Sequence, residues 1–315
     1  MPGKLQSVVN VITAFVQTNA DLKSSLKSSP NFKVMSQFRI VFLLLFLLQG
    51  VSTTRSFCQT SIPYGDNPQA GAYIQLNGVR HYYEVYGTGR PLLLIHGNST
   101  ATKGWAAQIE FFSRKYRVYS VDNRGRGKSD LGSDTLRFEQ MASDMAAFIE
   151  AMKLDSVDII GKSDGAIVAL MMGMYHPAHI RRIVSFAANL QPDGLYPELI
   201  EENSKLRKEA ERMLAVHDTT KNWEIEKQKL RLDEFQPHVD LKELRRIKVP
   251  VLVLSCDRDV IRLDHTIAIY KHLSMANLCI VPGEKHSFPR ENPELFNLLV
   301  DGFLSKPFVP VASQR

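Results

Sequence analysis

Apolar positions along this chain fall into two alternating patterns. Short unbroken runs rich in branched residues, at 91–95, 116–121, 157–160, 182–186, 251–254 and 276–281, predict strands buried on both faces. Between them, apolar residues recur at helical spacing over 104–112, 135–152, the stretch after Ser163, the segment holding His265 and His272, and 289–303. Strand and helix in turn predict an α/β chain with a mostly parallel central sheet flanked by helices and joined by right-handed crossovers. Ahead of this rhythm, 72–76 and 79–86 meet at Asn77-Gly78, a strong hairpin signal, and 59–71 reads as an exposed lead-in broken by Pro63, Gly65, Pro68 and Gly71.

The rhythm breaks once. From 192 to 247 the chain is charged, helical in pattern over 198–214 and 223–232, and without a convincing strand. A helical cap of residues 192–247, inserted into a core of 59–191 and 248–315, is the expected arrangement. Trp105 and Trp223 are candidate liners of a pocket beneath it.

Charge changes the picture mainly at the N-terminus. The 315 residues carry a formal +6. Residues 1–58 hold six basic residues and one acidic, leaving 33 basic against 32 acidic in the remainder, so nucleic acid is not the implied partner. Within the leader, 40–48 is a nine-residue apolar run preceded by Arg39, long enough for a signal-peptide core and too short to span a bilayer. Residues 35–58 therefore read as an export signal cut between Cys58 and Gln59, with translation starting at Met35. Membrane anchoring by an uncleaved segment is the alternative. Past that point only Cys256 and Cys279 remain, expected as buried free thiols. His176-Pro177-Ala178-His179 is the only close histidine pair and reads as solvated surface, so neither metal nor cofactor is expected.

Candidate chemistry centres on Gly161-Lys162-Ser163-Asp164-Gly165, set between a strand and a helix. A serine at so sharp a turn projects its hydroxyl above the sheet, and the helix it opens offers free backbone N–H groups. A serine hydroxyl needs a base, and the base a third group to hold it. His286 lies just past the strand at 276–281, and Asp257 and Asp259 follow the strand at 251–254. Asp259 is preferred as the acid because reaching His286 needs a position beyond the strand end, whereas Asp257 suits the turn itself. The amides of Asp164 and of Asn98, in the His96-Gly97-Asn98 turn, are the candidate oxyanion donors. The Asn98 side chain is a candidate substrate contact beside Trp105, and His96 reads as a turn-bonding imidazole.

These motifs resemble the α/β-hydrolase family in its serine hydrolase and esterase branch. The HG-x turn reads His96-Gly97-Asn98, the D-x-R-G-x-G-x-S motif spans 122–129, and the elbow is Gly161 to Gly165, all in the family's order. The resemblance covers about 72–304, most of 192–247 excepted. It implies Ser163, Asp259 and His286 as a triad, Asn98 and Asp164 as oxyanion donors, and the 122–129 motif as a turn without chemistry of its own. Related dehalogenases and epoxide hydrolases use an aspartate nucleophile, which Ser163 argues against. Cys256 stands where the family usually has glycine. The Ser-Asp-Gly elbow is similar to that of amino-acid-ester hydrolases, where a pocket-facing Asp164 would favour a cationic substrate; a solvated first-turn carboxylate is the expectation here. The reading is a hydrolase of a small-molecule ester-like bond, without cofactor. A proline-iminopeptidase-type aminopeptidase and a non-turnover binding protein on the same fold are the alternatives.

Overall fold

The computed structural model describes residues 62–132 and 135–309, and the leader with its expected signal segment lies outside them. The chain from residue 62 onward forms one compact unit. Eight strands make a single sheet: β1 (Gly71–Leu76), β2 (Val79–Tyr86), β3 (Arg90–Ile95), β4 (Tyr116–Val121), β5 (Val157–Lys162), β6 (Ile180–Phe186), β7 (Val251–Arg258) and β8 (Ala276–Lys285). Their spatial order is β1-β2-β4-β3-β5-β6-β7-β8, with β1–β2 and β2–β4 antiparallel and every later pairing parallel.

Alternation along the strands builds two cores. Leu93 and Ile95 of β3 face a layer with Val121, Ile159, Ile183 and Val253, covered by α2 (Phe138–Ala151) and α3 (Asp164–Tyr175). Leu92 and Leu94 face the other way, to Val118, Ile160, Val184 and Leu254, under α1 (Ala106–Phe112) and, at the far end of the chain, the helix Pro293–Ser305. Such runs are apolar on both sides because helices cover both. α3 has buried positions all round, since it lies against the sheet on one side and α2 on the other.

The stretch 192–247 holds α4 (Pro197–Ala215), α5 (Trp223–Phe235) and a 3₁₀ turn at Leu241–Arg246, with no strand among them. Arg207 of α4 bonds Glu234 of α5, with Nη2 3.2 Å from Oε1, and Leu232 of α5 reaches the first core. α6 (Leu263–His272) follows β7. The expected single closing helix is instead two, α7 (Phe288–Glu291) and α8 (Pro293–Ser305). Pro293 cannot donate an amide to a continuing helix, so Asn292 ends one segment and its side chain accepts the Leu295 amide to start the next. Cys256 and Cys279 are free thiols, the first buried and the second half-buried. Among the described residues no helix is long and apolar enough to cross a membrane.

Candidate active site

β3 and β5 are neighbours, although the chain passes through β4 between them. Strand order reverses there, and in open α/β sheets ligands bind beyond the carboxyl ends of strands at such a point. Both signature turns lie at those ends, His96-Gly97-Asn98 after β3 and Ser163 after β5.

Ser163 holds φ +54° and ψ −120°, a conformation few side-chain-bearing residues adopt. Three backbone bonds fix it: its N–H donates to Phe186 O at 2.9 Å, and its carbonyl accepts Ala166 N at 2.8 Å and Ile167 N at 3.1 Å. Its hydroxyl does not cap α3 and so stays available. The flanking glycines are required by contact. A Cβ on Gly161 would strike the Gly165 carbonyl oxygen, and one on Gly165 would strike the carbonyl oxygen of Ile95. At Gly97 a Cβ would sit 3.1 Å from Ser163 Cβ, so the turn after β3 passes directly beside the serine.

Asp259 and His286, expected to meet, are in contact. His286 Nδ1 lies 2.8 Å from Asp259 Oδ1, which also accepts the Ile261 amide at 3.2 Å. A carboxylate oxygen on Nδ1 makes that nitrogen the donor and leaves the Nε2 lone pair free to take a proton. The Asp259 side chain is fully buried while the imidazole is 27% exposed, so the acid is shielded and the base is open. Phe186 ties this pair to the serine: its carbonyl holds the Ser163 amide, and its ring stacks on His286 at 6.2 Å between centroids. Asp257 serves the turn, its Oδ1 accepting the Gly283 amide at 2.7 Å.

The N–H groups of Asn98 and Asp164 have no hydrogen-bond partner among the described residues, leaving both free for an anion. His96 accepts the Asn123 amide on Nε2 at 2.9 Å, so its Nδ1 carries the proton and donates to Gly97 O at 2.8 Å. Burial pushes its pKa down to about 4, against the opposing pull of Asp122, and a neutral imidazole organises the turn. Asp122 and Ser129 likewise bond backbone groups that shape the turn: Asp122 accepts the amides of Thr102 and Lys128, and Ser129 Oγ donates to Asp122 O at 2.6 Å.

Three placements differ from expectation. Asp164 is not a solvated carboxylate: it is buried, and its Oδ2 is 3.0 Å from Arg126 Nη2. Burial pulls both members toward neutrality, raising the carboxyl pKa and lowering that of the guanidinium, while the pairing opposes both shifts. The Asn98 side chain turns to the protein, with Nδ2 2.9 Å from Asp233 Oδ2 and 2.9 Å from Lys229 O, and Oδ1 2.7 Å from Arg126 Nη2. Trp105 packs against Phe296 in the second core, 2% exposed, and is not among the residues around the cavity beneath α4 and α5. That cavity, about 410 Å³, is lined by Asn98, Asn203, Leu206, Trp223, Leu230 and Asp233, among others.

Arg126, Asp233 and Lys229 were not singled out in the sequence. Arg126 carried a signal, standing between two glycines of a motif whose turn needs no cation. Asp233 carried none, since its partner is 135 residues away.

Fold and site together define an α/β hydrolase, and the chain belongs to the alpha/beta hydrolase fold family, whose sequence model matches residues 90–245. The human serine hydrolase BPHL is 27% identical over 284 residues, covering 84% of this chain and 96% of that protein. A putative carbamate hydrolase, RutD of Azorhizobium caulinodans, is 23% identical over 252 residues, covering 70% and 94%. Among solved structures, an enol-lactonase from Burkholderia xenovorans superposes with a TM-score of 0.64 at 19% identity, covering 75% of this chain and all of that one. These relatives are hydrolases by name, and this chain is a hydrolase of that family.

Proposed function

We propose that the chain is a serine hydrolase of carboxylesterase type, cleaving an ester-like bond of a small molecule through an acyl-enzyme on Ser163. The observation that carries this is the Asp259–His286 contact at 2.8 Å, linked through Phe186 to a serine held at φ +54° on the elbow. His286 Nε2 takes the Ser163 proton as the hydroxyl attacks the carbonyl carbon, and Asp259 stabilises the imidazolium. Negative charge gathers on the carbonyl oxygen, where the Asn98 and Asp164 amides receive it. His286 then returns the proton to the leaving group, and a water activated by the same imidazole frees the acyl group and restores Ser163.

One observation bears on the alternatives. An aminopeptidase needs an unspent carboxylate for a free amino terminus, and Asp164, beside the serine, is paired with Arg126. A binding protein that has kept the triad would share the carboxylate on imidazole Nδ1, and turnover is what separates it from an enzyme. The test is a panel of acyl p-nitrophenyl esters, lactones and aminoacyl arylamides, run on the protein and on Ser163→Ala. Multiple turnovers of the esters, lost in the variant, are expected; equal rates in the two proteins would remove the assignment. The leader is proposed as an export signal, and a secreted form whose first residue is Gln59 is the expected result of N-terminal sequencing.

A further inference from the structure

Asn98 enters the site as a backbone amide, yet its side chain is tied on every side. A primary amide offers two N–H donors and an acceptor oxygen. Here the donors go to Asp233 Oδ2 and Lys229 O, both on α5, at 2.9 Å each, and the oxygen accepts Arg126 Nη2 at 2.7 Å. The same Nη2 reaches Asp164 Oδ2 at 3.0 Å, and Arg126 Nη1 is held by Arg124 O at 3.0 Å. The two residues whose amides face the reacting oxygen are thus bridged to each other by one guanidinium. That bridge is fastened to the helical insertion by Asp233.

A helix that only walled a pocket would be served by apolar contact, which Leu232 already supplies. The polar chain adds direction, because hydrogen bonds fix angles as well as distances. It also runs from α5, through the turn after β3 and the turn after β4, to the first residue of α3.

We propose that Asn98 and Asp233 are positioning residues for the oxyanion amides, through which the docked insertion sets the angle of the Asn98 N–H. This rests on the serine-hydrolase reading above. Both residues border the cavity beneath α4 and α5, but their bonding groups are engaged with each other, Lys229 O and Arg126, and what they hold is the backbone of the turn. Asn98 therefore acts twice, its amide on the oxyanion and its side chain on the amide's own orientation.

The experiment measures p-nitrophenyl butyrate hydrolysis by the full chain and by Asn98→Ala, Asp233→Leu, Asp233→Asn and Ser163→Ala. Affinity for an alkyl trifluoromethyl ketone, whose serine adduct places an oxyanion against the same amides, is measured alongside. Small misplacement of a reacting group is costly, so N98A and D233L are expected to lower kcat about 10- to 100-fold with KM within about threefold. Ketone affinity should fall in step. D233N keeps an acceptor oxygen for Asn98 Nδ2 and should lose no more than about fivefold. N98A removes the other end of the same bond, so it carries the test should D233L fail to fold by circular dichroism. A raised KM with unchanged kcat in N98A and D233L would make these residues pocket wall only and overturn the proposal. Folded D233N as impaired as D233L would overturn it too. Full rate in N98A and D233L beside a dead S163A sinks this proposal alone, whereas an active S163A removes the underlying reading and this one with it.

Discussion

Arg126 Nη2 and Asp164 Oδ2 stand 3.0 Å apart where neither side chain is more than 3% exposed, one residue along from Ser163. Water cannot screen such a pair, and the remaining contacts of Arg126, to Asn98 Oδ1 and Arg124 O, are to neutral groups. Removing one partner strands the other, which typically costs about 3–5 kcal/mol, while replacing both with apolar groups is often neutral. Arg126→Met should therefore lower unfolding stability by about that amount, and Arg126→Met with Asp164→Leu should recover most of it. Urea denaturation of the two variants measures this, and a double variant no better than R126M would show that the pair does not act as one unit.

Asp259→Asn keeps the shape of the acid and reverses what it offers His286. An amide can turn its N–H₂ toward Nδ1 and favour the tautomer with the proton on Nε2, where the serine's proton must go. The expected loss is about 10³- to 10⁴-fold in kcat with little change in KM. Steady-state ester hydrolysis checks it, and retention of more than a tenth of the rate would mean another group holds the imidazole.

The elbow glycines should differ in consequence. A methyl at Gly165 meets a backbone carbonyl of β3, which cannot move without parting β3 from α3. Gly165→Ala should destabilise the fold by about 1–3 kcal/mol or more. At Gly97 the nearest atoms are Ser163 Cβ at 3.1 Å and Lys162 O at 3.2 Å, which a small shift of the turn can relieve. Gly97→Ala should therefore leave thermal stability nearly intact and reduce kcat, since the turn that shifts carries the Asn98 amide. Calorimetry and kinetics on the two variants separate these outcomes.

The parts legible from sequence are those with a local cause. β4 is found at its expected bounds because five of its six residues are buried and its apolar run ends at Val121, where the Asp122 turn begins. The hairpin at Asn77-Gly78 follows from turn chemistry, and both residues take positive φ. The strands β7 and β8 extend further than their apolar runs, to Arg258 and Lys285, because main-chain pairing continues after the side chains turn polar. Residues brought together across the sheet were harder to read. Asp164 obeys the rule for a first-turn carboxylate, and only a guanidinium arriving from 38 residues away makes it a buried ion. Asn98 has the composition of a substrate contact, and only the fold shows its side chain already engaged by α5. Local pattern thus pointed to Asp259 and His286, which the fold brings together, and left Arg126 and Asp233 unseen.

Asp233 sits among groups that fix the sign of its effect on stability. Asn98 Nδ2 donates to it, Arg126 and Lys229 favour its charge, and Asp164 opposes it. Burial is the largest influence and, with Asp164, raises the Asp233 carboxyl to about 7. In the unfolded chain the same group titrates near 3.9. Between about pH 4 and 7 the folded protein then holds a proton at this site that the unfolded chain has released, so folding stability drains away as pH rises through that window. Glu226, the other acid near Arg126, is present in both proteins compared and cancels in the difference. Asp233→Asn removes the titration and keeps the acceptor. The variant should match the parent near pH 4 and exceed it by one to a few kcal/mol, on the order set by such a shift, at pH 8. Urea unfolding of both proteins at unit steps from pH 4 to 8 measures the gap. A gap that stayed flat, or closed as pH rose, would mean that Asp233 is ionised in the folded protein throughout that range.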